Sequence, residues 1–178
     1  MKGETWQKAE NPAMVRAALI GKPAVAAKLL KRARSPVIVV GHEAAEGDGS
    51  GILESIARIA RASGSPVIAT GGVSGLLGRK GLRASLALSA METGDRLLDP
   101  AWRPAPGRDP PDYAFIIGVP YAIASVIEAG LASFARRHLK IISLDRFYHP
   151  HCDLSLPNQT REEWERNLGA IAEEVERG

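Results

Sequence analysis

A single cysteine, Cys152, in 178 residues rules out a disulfide, a cysteine-rich zinc site and a cysteine-ligated iron–sulfur cluster within this chain. One unpaired thiol makes a reducing cytoplasm the expected setting. Aromatics are scarce at 5%, which weakens any idea of a stacking platform for bases or sugars. The formal net charge is only +3. No basic stripe is interleaved with aromatics, so no nucleic acid partner is expected. No run approaches the roughly 18 consecutive apolar residues of a membrane span. The opening residues MKGETWQKAENP lack a secretory apolar core. Two catalytic signatures are missing as well. No G-x-S-x-G elbow presents a serine, and no Gly-Lys-Ser/Thr ending turns the stretch from Gly72 to Lys80 into a P-loop. No residue is assigned as catalytic.

What the chain does have is a repeated strand signature. Ser35-Pro36-Val37-Ile38-Val39-Val40-Gly41 and Ser65-Pro66-Val67-Ile68-Ala69-Thr70-Gly71 lie 30 positions apart. Each is an apolar, β-branched run opened by Ser-Pro, where a lost ladder donor does least harm. Between them Ile52, Ile56, Ile59 and Ala60 share one helical face. Strand, helix and strand within about 30 residues form a βαβ unit with parallel strands and a right-handed crossover. Ligands of such sheets sit beyond the carboxyl ends of the strands.

The chain reads as one α/β domain over residues 1–178, with hydrophobic residues at 45% and charged residues at 24%. Residues 1–21 form an N-terminal arm whose only large apolar group is Trp6, free either to tuck under the domain or to dock on a partner. Helices are expected over 23–33, 49–63, 82–90 and 122–136, and strands over 36–40, 66–70, 113–117 and 140–144. The basic cluster Lys28, Lys31, Arg32 and Arg34 suits the end of the first helix. A Pro-rich loop, 95–112, carries Pro100, Pro104, Pro106, Pro110 and Pro111 and reads as a contact surface. Thr160 with Glu163 fits a capping box, and Trp164, Leu168, Ile171 and Val175 give the last helix one apolar face. Residues 153–157 are too short and polar to claim as a fifth strand. Four or five parallel strands between helices make a three-layer, Rossmann-like sheet.

Four segments could carry chemistry. Gly47-Asp48-Gly49-Ser50-Gly51 departs from G-x-G-x-x-G at Ile52, which leaves a flexible loop or a degenerate anion-binding loop. His42-Glu43 is either a general base with its carboxylate or an exposed loop pair. His149-Pro150-His151-Cys152-Asp153 is the one metal-like cluster, but it is crowded and lacks a distant ligand, so no metal site is assigned. Asp145 could hold a ribose hydroxyl, or pair with Arg146 and fix its loop. If a cofactor binds, strand-end geometry gathers Gly41, His42, Thr70, Gly71, Gly118, Tyr121 and Asp145.

Longer segments carry a resemblance. Arg34 to Gly41, Pro66 to Gly71, Met91-Glu92-Thr93-Gly94-Asp95-Arg96-Leu97-Leu98-Asp99-Pro100-Ala101-Trp102, Tyr113 to Tyr121, and Ile142-Ser143-Leu144-Asp145-Arg146-Phe147-Tyr148-His149-Pro150 resemble, in order, segments of one family. It is the epsilon subunit of the archaeal-type carbon monoxide dehydrogenase/acetyl-CoA synthase complex, or acetyl-CoA decarbonylase/synthase. The likeness spans nearly the whole chain; His151-Cys152 departs from the family pattern, which has smaller or amide residues there. The resemblance implies a deoxyhypusine-synthase-like NAD/FAD-binding fold and FAD as the cofactor of any strand-end pocket. It also implies pairing with the large alpha subunit, which holds the nickel–iron–sulfur centre. The implied role is to stabilise that assembly and assist FAD-linked electron transfer. Trp102 and Trp6 are the expected docking residues, and self-association through the same surface is an alternative. Competing readings are a free-standing FAD- or NAD-dependent oxidoreductase, a nucleotide-sensing module and a sirtuin-like deacylase. The last needs four zinc-binding cysteines where this chain has one.

Overall fold

The structure is a computed structural model and describes residues 3–7, 16–47 and 50–177. Seven strands form one sheet in the order β1-β7-β6-β5-β2-β3-β4, and every neighbouring pair is parallel. They are β1 (Ala18–Leu19), β2 (Pro36–Val40), β3 (Val67–Ala69), β4 (Leu86–Ala87), β5 (Tyr113–Ile117), β6 (Lys140–Ser143) and β7 (Leu154–Ser155). The helices are α1 (Pro23–Arg32), α2 (Ser50–Ser63), α3 (Ser74–Arg79), α4 (Ala90–Leu98), α5 (Tyr121–Phe134) and α6 (Arg161–Glu176). A 3-10 turn spans His42–Ala45.

The two Ser-Pro runs are β2 and β3, parallel neighbours in the register Ile38↔Val67 to Val40↔Ala69. Side chains alternate across the sheet. Ile38, Val40, Phe115, Ile117 and Ile142 face a core closed by α1, α2 and α6, whereas Val37, Val39, Ala114, Ile116 and Ile141 face a second core under α4 and α5. Burial on both faces is why these strands read as continuous apolar runs. Asp112 staples the start of β2 to β5, its carboxylate accepting the Arg34 and Ser35 amides, each at 2.9 Å. No helix of the described residues is long and apolar enough to cross a membrane.

Several elements differ from expectation. The helix expected over 82–90 is absent: β4 lies there, and α4 starts only at Ala90. Leu82 and Ala84 pack on the core closed by α1, α2 and α6, while Leu86 and Leu88 pack on the core under α4 and α5, so no single helical face forms over 82–88. Ser89 then caps α4, its hydroxyl accepting the Glu92 amide at 3.0 Å. The glycine-rich stretch after β3 becomes α3, because Leu77 is fully buried there and its packing overrides the cost of Gly75 and Gly78. Residues 95–98 of the Pro-rich loop belong to α4. The end of the arm is an edge strand, β1, held where the Tyr148 hydroxyl donates to the Ala17 carbonyl at 2.9 Å. The short polar segment at 153–157 contains β7.

The capping box of α6 is formed: Thr160 accepts the Glu163 amide at 3.2 Å and Glu163 accepts the Thr160 amide at 2.9 Å. It aims Trp164, 1% exposed, at the sheet, where its indole N–H donates to the Leu144 carbonyl at 2.8 Å. Trp164→Ala should lower stability in urea unfolding by about 3–5 kcal/mol. Trp164→Phe keeps most of the packing and should cost about 1–2 kcal/mol through the lost hydrogen bond.

Candidate functional site

From β2 the chain winds one way across the sheet, to β3 and β4; from β5 it winds the other way, to β6 and β7. The reversal between β2 and β5 is the switch point, where open parallel sheets take ligands. The seven residues expected at the strand ends cluster at this edge. Gly41 follows β2 and donates its amide to Ile117 at 2.8 Å. His42 opens the 3-10 turn, and Glu43 donates its amide to the Gly118 carbonyl at 2.9 Å. Gly118, with φ 69°, donates to Asp145 Oδ2 at 2.9 Å. Gly71, with φ 60°, sits against the His42 ring. Thr70 is buried, its amide donating to the Val40 carbonyl at 2.8 Å.

The glycines at this switch point serve contacts within the chain. A Cβ on Gly41 would collide with the Gly118 carbonyl, and one on Gly118 would collide with Ala44. At this point the ends of β2 and β5 pack backbone against backbone. Asp48 and Gly49 of the glycine-rich loop lie outside the described residues. Just beyond them the Glu165 carboxylate lies against Gly51, in the first turn of α2. It holds negative charge at the helix end that would otherwise favour an anion. These residues do not fit the phosphates of FAD.

Asp145 is 2% exposed. Its other oxygen accepts the Arg146 amide at 2.7 Å. The carboxylate therefore fixes its loop through backbone amides rather than through the Arg146 guanidinium, which lies 5.0 Å from the Phe147 ring centre. Burial pushes the Asp145 carboxyl up to about 6, against the opposing pull of His149 and the Arg146 amide; nearby Glu43 and Glu128 add to the rise. Burial also raises Glu43, helped by Glu46.

A buried polar group beside the site was not foreseen. His149 Nδ1 lies 2.7 Å from Glu128 Oε2, with both side chains at most 1% exposed. Tyr121 packs on the His149 ring at 4.6 Å and meets Phe147 edge-on at 6.2 Å. Trp6 stacks on the other side of Phe147 at 4.1 Å, and the Glu4 carbonyl accepts from Asn158 at 2.7 Å, so the arm tucks onto its own domain. The metal-like cluster is dispersed: His149 turns to Glu128, Cys152 is buried, and Asp153 accepts the Ile141 amide at 2.9 Å. No group of three potential metal ligands forms among the described residues. Burial and then Glu128 push the Cys152 thiol well up, which makes it a poor nucleophile. The one sequence hint of this arrangement was Glu128 itself, the sole charge in α5.

The raised Asp145 carboxyl fixes the sign of a pH effect. The native state keeps this proton to a higher pH than the unfolded chain, so its contribution favours folding in acid and fades as pH rises from about 4 to about 6. The stability difference between the wild type and Asp145→Asn, measured by urea unfolding, should shift against the wild type by up to about 3 kcal/mol across that window. It should then stay flat to pH 8.

Residues 5–175 match a family described as CO dehydrogenase beta subunit/acetyl-CoA synthase epsilon subunit. The acetyl-CoA decarbonylase/synthase complex subunit epsilon of Methanothermobacter thermautotrophicus is 32% identical over 151 residues, 85% of this chain and 84% of that protein. Subunit epsilon 1 of Methanosarcina barkeri is 30% identical over 143 residues, 80% of each chain. Subunit epsilon 1 of Archaeoglobus fulgidus is 28% identical, covering 79% of this chain and 74% of its own length. Matched along nearly its whole length, the chain belongs to the CO dehydrogenase beta subunit/acetyl-CoA synthase epsilon subunit family.

Proposed function

We propose that this chain is a non-catalytic accessory subunit of an acetyl-CoA decarbonylase/synthase complex, docked on the large alpha subunit that holds the nickel–iron–sulfur centre. One observation carries the reading. Helix α5 has no charge on its outer side, where Ile123 is 40%, Val126 62% and Phe134 78% exposed. On the neighbouring α4, Met91 is 51% exposed. Contiguous apolar surface of this kind marks an interaction site. Its only charged residue, Glu128, is turned inward. The relatives' names, each that of a complex subunit, point to a partner from the same assembly.

Val126→Glu combined with Phe134→Glu should leave the circular dichroism melt unchanged, because both side chains face outward. It should abolish copurification of the alpha subunit from the native cell. Retained copurification would remove α5 from the interface, and a dimer of the isolated chain broken by the same variant would assign the face to self-association.

The FAD-linked role and the free-standing oxidoreductase draw support only from the convergence of the strand-end residues. The backbone contact at Gly41 and Gly118, and the Glu165 carboxylate against Gly51, weigh against both. Titration with FAD should leave flavin fluorescence and the melting temperature of the protein unchanged. A rise of several degrees at saturating FAD would restore the flavin reading.

A further inference from the structure

A second surface lies at the opposite edge of the sheet from the arm. Strand β4 is the last strand, and its outer side carries no further strand among the described residues. Beside it runs a groove of about 490 Å³. Leu86 and Leu88 form one wall; Trp102, Pro104 and Pro106 form the other. The second wall is held in place. Trp102 packs against the core under α4 and α5. The Ala101 amide donates to Asp99 at 2.8 Å, the Arg108 guanidinium to the Gly64 carbonyl at 2.9 Å, and the Ser35 hydroxyl to the Asp109 carbonyl at 2.8 Å. Five prolines remove most of the remaining freedom of the loop.

The charged side chains that line this groove are both arginines, Arg96 and Arg103. The only carboxylate on each is an exposed one, Glu92 on Arg96 at 3.3 Å and Asp109 on Arg103 at 3.4 Å, and Arg103 also donates to the Arg108 carbonyl at 2.9 Å. Exposed pairs of this kind are worth at most about 1 kcal/mol, so an incoming carboxylate can replace them.

We propose that the groove between β4 and the Trp102 loop binds an extended, acidic segment of another protein chain, which adds to the sheet as an eighth strand beside β4. A free sheet edge supplies main-chain hydrogen bonds, and an adjoining apolar groove takes alternate side chains. The leucines and Trp102 receive the apolar side chains; the arginines receive the acidic ones between them. Trp102 is the anchor, a residue type enriched at binding hot spots. This surface is separate from the α5 face and does not depend on it.

The test is fluorescence anisotropy on the full chain with three labelled decapeptides. One alternates valine with glutamate, the second valine with lysine, and the third carries prolines that remove alternate backbone donors. The glutamate peptide should bind about tenfold or more tighter than either of the others. Reversing both cations, Arg96→Glu with Arg103→Glu, should transfer the preference to the lysine peptide, and Trp102→Ala should weaken binding about tenfold. Amide exchange should slow at Ala87, whose N–H points away from β3, on binding. No binding of the glutamate peptide up to millimolar concentration overturns the proposal. Equal binding of the lysine peptide overturns its charge component, and equal binding of the proline peptide overturns strand addition. The charge-reversal variant keeps the test open if Trp102→Ala fails to fold. Failure here with the alpha subunit still copurifying would leave the α5 reading standing, and the converse result would separate them the other way.

Discussion

The fold turns on a place where two backbones touch. Parallel strands β2 and β5 run side by side and end in Gly41 and Gly118, whose turns meet with no side chain between them. Everything on either side is wound outward from this pair. The Gly118 amide is then passed to Asp145, at the end of β6, which carries the same contact one strand further. A methyl group on Gly41 would meet the Gly118 carbonyl, and one on Gly118 would meet the 3-10 turn at Ala44. The same closeness packs the two strand ends backbone to backbone at the switch point.

Helix α5 reverses the usual distribution of polarity. Its one charged group is buried, and Ile123, Val126 and Phe134 stand exposed on its outer side. A polar pair buried at this depth is a weak source of stability, because the desolvation of both groups offsets their attraction. What the Glu128–His149 pair supplies is position. It ties the middle of α5 to the loop after β6, which also carries Phe147 and Asp145. The helix that presents the apolar face is thereby fixed to the strand ends through a contact in which neither partner can be exchanged alone without leaving a buried polar group behind.

How much of this was legible in the sequence depended on whether the signal was local. The Ser-Pro runs, the capping box of Thr160 and Glu163, and the apolar face from Trp164 to Val175 all depend on residues within one element, and the structure has them where the pattern put them. The run from Leu82 to Leu88 was equally local but its leucines also allow a helical spacing, and the pairing to β3 decides it. Strands β1 and β7 are two residues long, too short for any period, and exist because β6 offers an edge to β7 and β7 one to β1. The strand-end residues were predictable as a group, since a parallel sheet delivers them to one side. Their individual uses were not. Whether Gly41 admits a phosphate or a neighbouring carbonyl depends on Gly118, 77 residues later in the chain. Glu128 and His149 meet across 21 residues, with no motif joining them.

The three tryptophans occupy three unlike settings. Trp164 is sealed in the main core with its indole N–H bonded to a carbonyl; Trp102 is half-covered on the rim of the β4 groove; Trp6 lies 56% exposed on Phe147, on the arm. Indole emission shifts with the polarity around the ring. The chain thus carries its own optical reporters, one each for the core, for the sheet edge and for the seating of the arm, and replacing any two by phenylalanine leaves the third to be watched alone.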